Sequence, residues 1–148
     1  MNQADHPHDG PHRELFSDGT LAGEGLYRGG RKHGRWEYWY KNGQRKAVGE
    51  YAEGELNGLW QWWRENGQPL QAGGFVMGVQ VGHWRRYYDN GQLWDEGAHE
   101  GGKKVGQWTV YDRTGVVKQS KVFKPRKPKH AEPGAAPDPA RVTVFRDS

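Results

Sequence analysis

Three histidines, His6, His8 and His12, stand close together near the start of the chain, at a spacing from which a flexible segment can meet a metal ion. No structured acid or further histidine follows to complete the ligand set, so the segment reads as a polar arm and no metal is assigned. His33, His83 and His99 could do acid–base work, with Glu37, Glu53, Glu65, Asp95 and Glu96 as the available carboxylates. Such catalysis needs groups within hydrogen-bond reach of one another, yet these histidines fall at different points of the pattern described below and the acids read as a solvated face. The pairs Gly29-Gly30 and Gly101-Gly102 would cradle a phosphate only at the start of a helix, and no helix-forming segment follows either. The absence of cysteine removes thiol nucleophiles, disulfides and thiolate metal sites. The sequence therefore assigns no catalytic residue and no cofactor, and it points away from an enzyme.

What must position the remaining side chains is a repeat. Glycines recur every 24 residues at 34, 58, 82 and 106; at 19, 43, 67, 91 and 115; at 25, 49, 73 and 97; and at 30, 54, 78 and 102. Seventeen of the 23 glycines thus share one period, which makes coincidence untenable. Aromatic residues keep the same period at Trp36, Trp60, Trp84 and Trp108, at Trp39, Trp63, Tyr87 and Tyr111, and at Tyr27, Tyr51, Phe75 and Phe123, with His99 as the exception. About four and a half units fit.

Each unit reads as a β-hairpin: a strand from Gly34 to Lys41, a turn at Asn42-Gly43, and a second strand from Gln44 to Ala52. Asn-Gly favours a two-residue type I′ turn because both central residues take positive φ, and Gly67 and Gly91 complete the same dipeptide. Counting outward from such a turn pairs Tyr40 with Arg45, Tyr38 with Ala47 and Trp36 with Gly49. Trp60 then faces Gly73 and Trp84 faces Gly97, so that each ring covers a bare strand glycine, while Trp108 meets Lys121 instead. Thr114-Gly115 is a weaker turn than Asn-Gly, and the last hairpin is expected to be the least well specified. The fold class is all-β: an elongated single-layer antiparallel sheet of tandem 24-residue hairpins.

Charge divides the chain differently. Glu14 to Val117 carries 13 basic and 13 acidic residues, whereas Lys118, Lys121, Lys124, Arg126, Lys127 and Lys129 follow without an acid between them. Arg35, Lys41, Arg64, Arg85 and Arg86 are interleaved with aromatics that could stack on bases, but a neutral body lacks the positive groove of a single-strand binder, and no specific nucleic acid is expected. The expected organisation is a disordered His-rich arm over 1–13, the repeat domain over 14–123, and a disordered basic, proline-rich tail over 124–148. Arg141 to Phe145 alternates like a short strand that could add to an open sheet edge, and open edges could also pair two copies into a homodimer. No secretory signal or transmembrane segment is seen, and a cytoplasmic location is expected.

The unit, with Gly34, Trp36, Trp39, Asn42, Gly43 and Gln44 followed by Gly49, Tyr51, Gly54 and Gly58, resembles the bacterial variant of the MORN (membrane occupation and recognition nexus) repeat from about Leu15 to Phe123. The resemblance implies a curved array of hairpins with no catalytic residue. Some bacterial members are antitoxin or immunity proteins neutralising a toxin encoded nearby, others are scaffolds, and the wider family has been linked to lipid headgroups. Repeated residues fix a framework, leaving the non-repeating strand positions to choose a partner. Among these, Trp62, Arg64, Arg86, Tyr88 and Trp94 are the side-chain types that dominate protein interfaces. The expected function is a protein-binding module acting by surface occlusion as an antitoxin or immunity protein; a scaffold binding a membrane surface or acidic polymer through the basic tail is the alternative.

Overall fold

The computed structural model describes residues 8–124. Ten strands form one open sheet, each pairing antiparallel with the next in the chain: β1 Gly10–Leu15, β2 Leu21–Arg28, β3 Arg31–Trp39, β4 Arg45–Ala52, β5 Glu55–Trp63, β6 Pro69–Val76, β7 Val79–Tyr87, β8 Leu93–Glu100, β9 Lys103–Tyr111 and β10 Val117–Phe123. There is no helix among the described residues. Ten strands span about 45 Å across the sheet while each runs about 30 Å or less, which makes the array longer across its strands than along them.

β1 begins at Gly10, so the boundary expected at 13 moves toward the N-terminus. The residues that looked like arm find partners: His12 pairs with Gly25 and its ring stands edge-on to Tyr27 at 4.7 Å. At the other end β10 finishes at Phe123. His6, Arg126, Lys127, Lys129 and the segment Arg141 to Phe145 lie outside the described residues.

The turn chemistry is the reverse of the sequence expectation. At Asn42-Gly43 the Gly43 N–H donates to the Tyr40 carbonyl (2.9 Å) and the Tyr40 N–H to the Gln44 carbonyl (2.8 Å), with φ +89° at Gly43 and no positive φ at Asn42. This is a tight turn through Lys41 and Asn42 followed by a glycine bulge. The bulge shifts the register, so Trp39 rather than Tyr40 pairs with Arg45, while Tyr38 pairs with Ala47 and Trp36 with Gly49 as expected. The two-residue turns with positive φ at both positions lie instead between units, at Gly29-Gly30, Glu53-Gly54, Met77-Gly78 and Gly101-Gly102. The hairpin at Thr114-Gly115, expected to be the least well specified, ends in a β10 that is exposed at all but its last residue. It closes with the same two bonds, and the Asp112 carboxylate accepts from the Thr114 N–H and hydroxyl and the Val116 N–H, supplying what the missing asparagine would have supplied.

The main core cluster, Ala47, Trp60, Phe75, Trp84 and Trp108, lies on one face and is mostly aromatic. Trp36, Trp60, Trp84 and Trp108 are buried, and each indole bonds a backbone carbonyl: Leu26 for Trp36, Glu50 for Trp60, Ala98 for Trp108, and for Trp84 that of Val81, the cross-strand partner of Gly74. The rings cover glycines, but of the strand before rather than of the hairpin partner. A Cβ at Gly25, Gly49, Gly73 or Gly97 would come within 2.4 Å of Trp36, Trp60, Trp84 or Trp108 respectively. Backbone register determines which residues are neighbours; the side-chain torsions turn each ring toward the preceding unit. Lys121 breaks the glycine column because no fifth tryptophan of the series follows to lie over it. By area, each buried indole contributes at most about 5 kcal/mol.

Bonds at both turn edges tie successive units. Gly54, Gly78 and Gly102 donate their N–H to the carbonyls of Lys32, Leu56 and Gln80 at 2.7–3.0 Å. On the opposite edge the side chains of Tyr40, Arg64 and Tyr88 donate to the carbonyls of Trp63, Tyr87 and Tyr111 at 2.7–3.0 Å.

Candidate functional site

Side chains alternate along each strand, so the face that carries the tryptophans also carries the residues two positions further on: Tyr38, Trp62, Arg86 and Val110. In the first half of the array these complete a continuous stack. Trp36, Tyr38, Trp60, Trp62 and Trp84 follow one another with ring centroids 5.8–6.4 Å apart and planes 25–29° from parallel. Tyr51 and Phe75 brace the stack edge-on. Trp62 is therefore part of the core, wedged between Trp60 and Trp84. Arg64 is likewise engaged, its guanidinium bound to the Tyr87 carbonyl and its Nε buried without a hydrogen-bond partner.

The stack stops at Arg86. Its guanidinium makes two hydrogen bonds to Asp95, at 3.0 and 2.7 Å, and lies 3.9 Å from the centre of the Trp94 ring. Asp95, expected on a solvated face, is 3% exposed; it occupies the column of Ala47 and Gln71, and a charge there is tolerable only because Arg86 reaches back to it. The paired carboxylate raises the Arg86 pKa further above its ordinary value, against the opposing effect of burial. Trp94 stacks on Tyr88 at 5.5 Å, and the Arg113 guanidinium covers the other ring of that pair, 5.0 Å from the Tyr88 centre. Three of the five expected partner residues, Arg86, Tyr88 and Trp94, thus meet in one cluster, with Arg113 as a fourth member that sequence reasoning missed. Trp62 and Arg64 do not join it.

Because no ring comes from position 86, a cavity of about 260 Å³ opens between Trp84 and Trp108, lined also by Gln71, Gln80, Arg86, His99 and Lys104. Shifted back by 24 residues, its lining becomes Ala47, Leu56, Trp60, Trp62, Phe75, Gln80 and Trp84, which is the region that the Trp62 ring fills. His99 stands edge-on to both walls, 5.7 Å from Trp84 and 5.1 Å from Trp108. Burial, and next the nearby Lys104 charge, push its pKa below the ordinary histidine value, and Nδ1 is buried without a hydrogen-bond partner. Lys104 holds its ammonium 4.6 Å over Trp108. The signal for this site in the repeat was one broken aromatic column, at His99, beside two charged residues at non-repeating positions of adjoining strands, Arg86 and Asp95.

On the opposite face the Glu96 carboxylate accepts from His83 (3.0 Å) and Tyr111 (2.8 Å), with Arg85 at 3.6 Å. Burial alone would raise the pKa of Glu96; the hydrogen bonds from Tyr111 and His83 and the adjacent charges outweigh it and hold the group below its ordinary value. An ionised carboxylate with both oxygens engaged is a cross-strand clamp rather than a poised base. His83 and His99 lie on different faces. Among the described residues no group of three His, Asp or Glu side chains could hold a metal ion, and no helix is long and apolar enough to cross a membrane.

The geometry defines a tandem β-hairpin repeat protein whose framework side chains lie in columns and whose irregular ones gather on one part of the aromatic face. Three segments, residues 32–53, 56–75 and 80–98, match the model of the MORN repeat variant family. These segments fall in the central units, and the 24-residue period carries the same design beyond them in both directions. No curated protein matches the chain.

Proposed function

We propose that this chain is a non-enzymatic, cytoplasmic protein-binding module of the antitoxin or immunity kind, neutralising a partner toxin by covering its surface. The observation that carries the reading is the cluster of Arg86, Tyr88, Trp94 and Arg113, where two stacked rings lie between two guanidinium groups. Rings and arginines held in place before contact lose little side-chain freedom on binding and are the groups that dominate interface energetics. An even balance of charge over residues 14–117 suits a protein surface better than a polyanion.

The test is affinity capture from the native host with the full chain and with a version ending at Phe123, the bound proteins being identified by mass spectrometry. One stoichiometric protein retained by both versions, and held about 30-fold more weakly by Trp94→Ala, is the expected result. Retention of only lipid or nucleic acid, lost with the tail, would replace this reading by a scaffold that works through residues after Phe123.

A further inference from the structure

The cavity between Trp84 and Trp108 has the form of a missing ring. In the two preceding intervals of the stack the space between successive tryptophans is occupied by Tyr38, then by Trp62, each 5.8–6.4 Å from the ring on either side. The third interval is bounded by the equivalent residues, but its own side chain, Arg86, is turned onto Asp95 and Trp94. A volume of about 260 Å³ lies below the range of roughly 300–1,000 Å³ typical of small-molecule pockets and suits one inserted side chain. The lining has also become more polar, with Lys104 and Arg86 as its cations, Arg86 being paired with Asp95 behind it.

Resting on the protein-binding reading above, we propose that this slot receives one aromatic side chain from an acidic segment of the protein partner, the ring entering the stack between Trp84 and Trp108 and the acid meeting Lys104 and Arg86. Tyrosine or phenylalanine flanked by aspartate or glutamate has the required chemistry: a flat face for two indole walls and a charge for the cationic rim. The buried Nδ1 of His99, without a partner in the free protein, marks the floor as incompletely satisfied before the guest arrives. A nucleotide would offer a ring and a negative charge as well, but a strand of them needs a positive track beyond the slot, and residues 14–117 carry as many acids as bases.

Titration of the full ¹⁵N-labelled chain with the peptide acetyl-Asp-Tyr-Asp-amide, followed through the indole N–H signals, tests the slot directly. The expected result is a saturable shift at Trp84 and Trp108 with Trp36 and Trp60 unmoved, weakened at least fivefold when the peptide carries alanine for tyrosine or asparagine for both aspartates. Lys104→Met should weaken it at least fivefold. Arg86→Trp combined with Asp95→Gln should abolish it, because the chain then supplies its own ring. Equal shifts at all four indoles, no saturable shift, or equal binding of the alanine peptide would overturn the proposal, as would a response of the two indoles to a thymidine oligonucleotide and none to the peptide. In the capture experiment, a partner held equally by the wild type and the double variant sinks the slot and leaves the protein-binding reading standing. Capture of no protein by the wild type sinks that reading itself.

Discussion

The interval between Trp60 and Trp84 and the interval between Trp84 and Trp108 are built on the same backbone and bounded by the same columns of the repeat. One is closed by Trp62, over Ala47 and against Phe75; the other is left open by Arg86, with Asp95 beneath the guanidinium and His99 in place of the phenylalanine. Gln71, Gln80 and Lys104 also stand where the first interval has Ala47, Leu56 and Gln80, but three of the changed side chains, Arg86, Asp95 and His99, act together. An arginine at 86 leaves the ring position empty, an aspartate at 95 holds that arginine down, and an imidazole at 99 puts a polar ring on the cavity wall in place of a phenyl. Such an array can therefore acquire a site at one place without any change in its framework, because the glycines and tryptophans that set the geometry lie in other columns.

The comparison should break most completely at Gly73, under the ring of Trp84 that serves as a wall for both intervals. A Cβ at this position would lie 1.9 Å from the indole, so Gly73→Ala must expel the ring and should cost about 3 kcal/mol or more in chemical denaturation. Gly43→Ala, in open space but at φ +89°, should cost only about 1 kcal/mol, separating crowding from backbone strain. Arg86→Ala comes next, at about 2 kcal/mol, because it strands the buried Asp95 carboxylate; adding Asp95→Ala should recover most of that loss, and a double-mutant cycle measures the coupling.

His99→Phe sharpens the comparison with the smallest effect, a gain of about 1 kcal/mol as the aromatic column is restored. It should also change the pH response. The folded protein holds His99 with a lowered pKa, so on acidification the unfolded chain takes up the proton first, and stability is lost as pH falls from the ordinary histidine value of 6.5 toward the folded one. The contribution is complete above that window. Thermal melts of wild type and His99→Phe at pH 7.5 and 5.5 should therefore diverge in the acid, with the variant flatter. Parallel curves would show that the imidazole is not held neutral. Below pH 4.5 both should weaken further as Glu96 loses its charge.

The period carried most of the fold. Unit length, hairpin order, the pairing of Trp36 with Gly49 and of Trp60 with Gly73, and the aromatic face all follow from it. Turn type did not, because Asn-Gly suits both a two-residue turn and a turn with a glycine bulge, and because Glu53 and Met77 take positive φ (50° and 46°) only where the sheet compels it. Ring direction was hidden for another reason: pairing gives the neighbours of Trp36 but not which of them the indole covers. Residue type picked out Arg86, Tyr88 and Trp94, which the structure brings side by side, and by the same criterion Trp62 and Arg64, whose surroundings claim them for the core and for an inter-unit bond. Asp95 looked solvated because an acid in a strand usually is; only its cross-strand pairing with Arg86 shows that it is internal.

Since Trp36, Trp60, Trp84 and Trp108 each cover a glycine of the strand before, the array is polar in the sense of a growing filament: each added unit completes its predecessor and presents a fresh position for its successor. The two ends of the glycine column are then chemically unlike, Gly25 at one end lying under Trp36 and Lys121 at the other standing in the column with no further ring of the series to cover it. Length is consequently an inheritable variable, adjustable in steps of 24 residues by duplication within the array, while the lysine acts as the full stop.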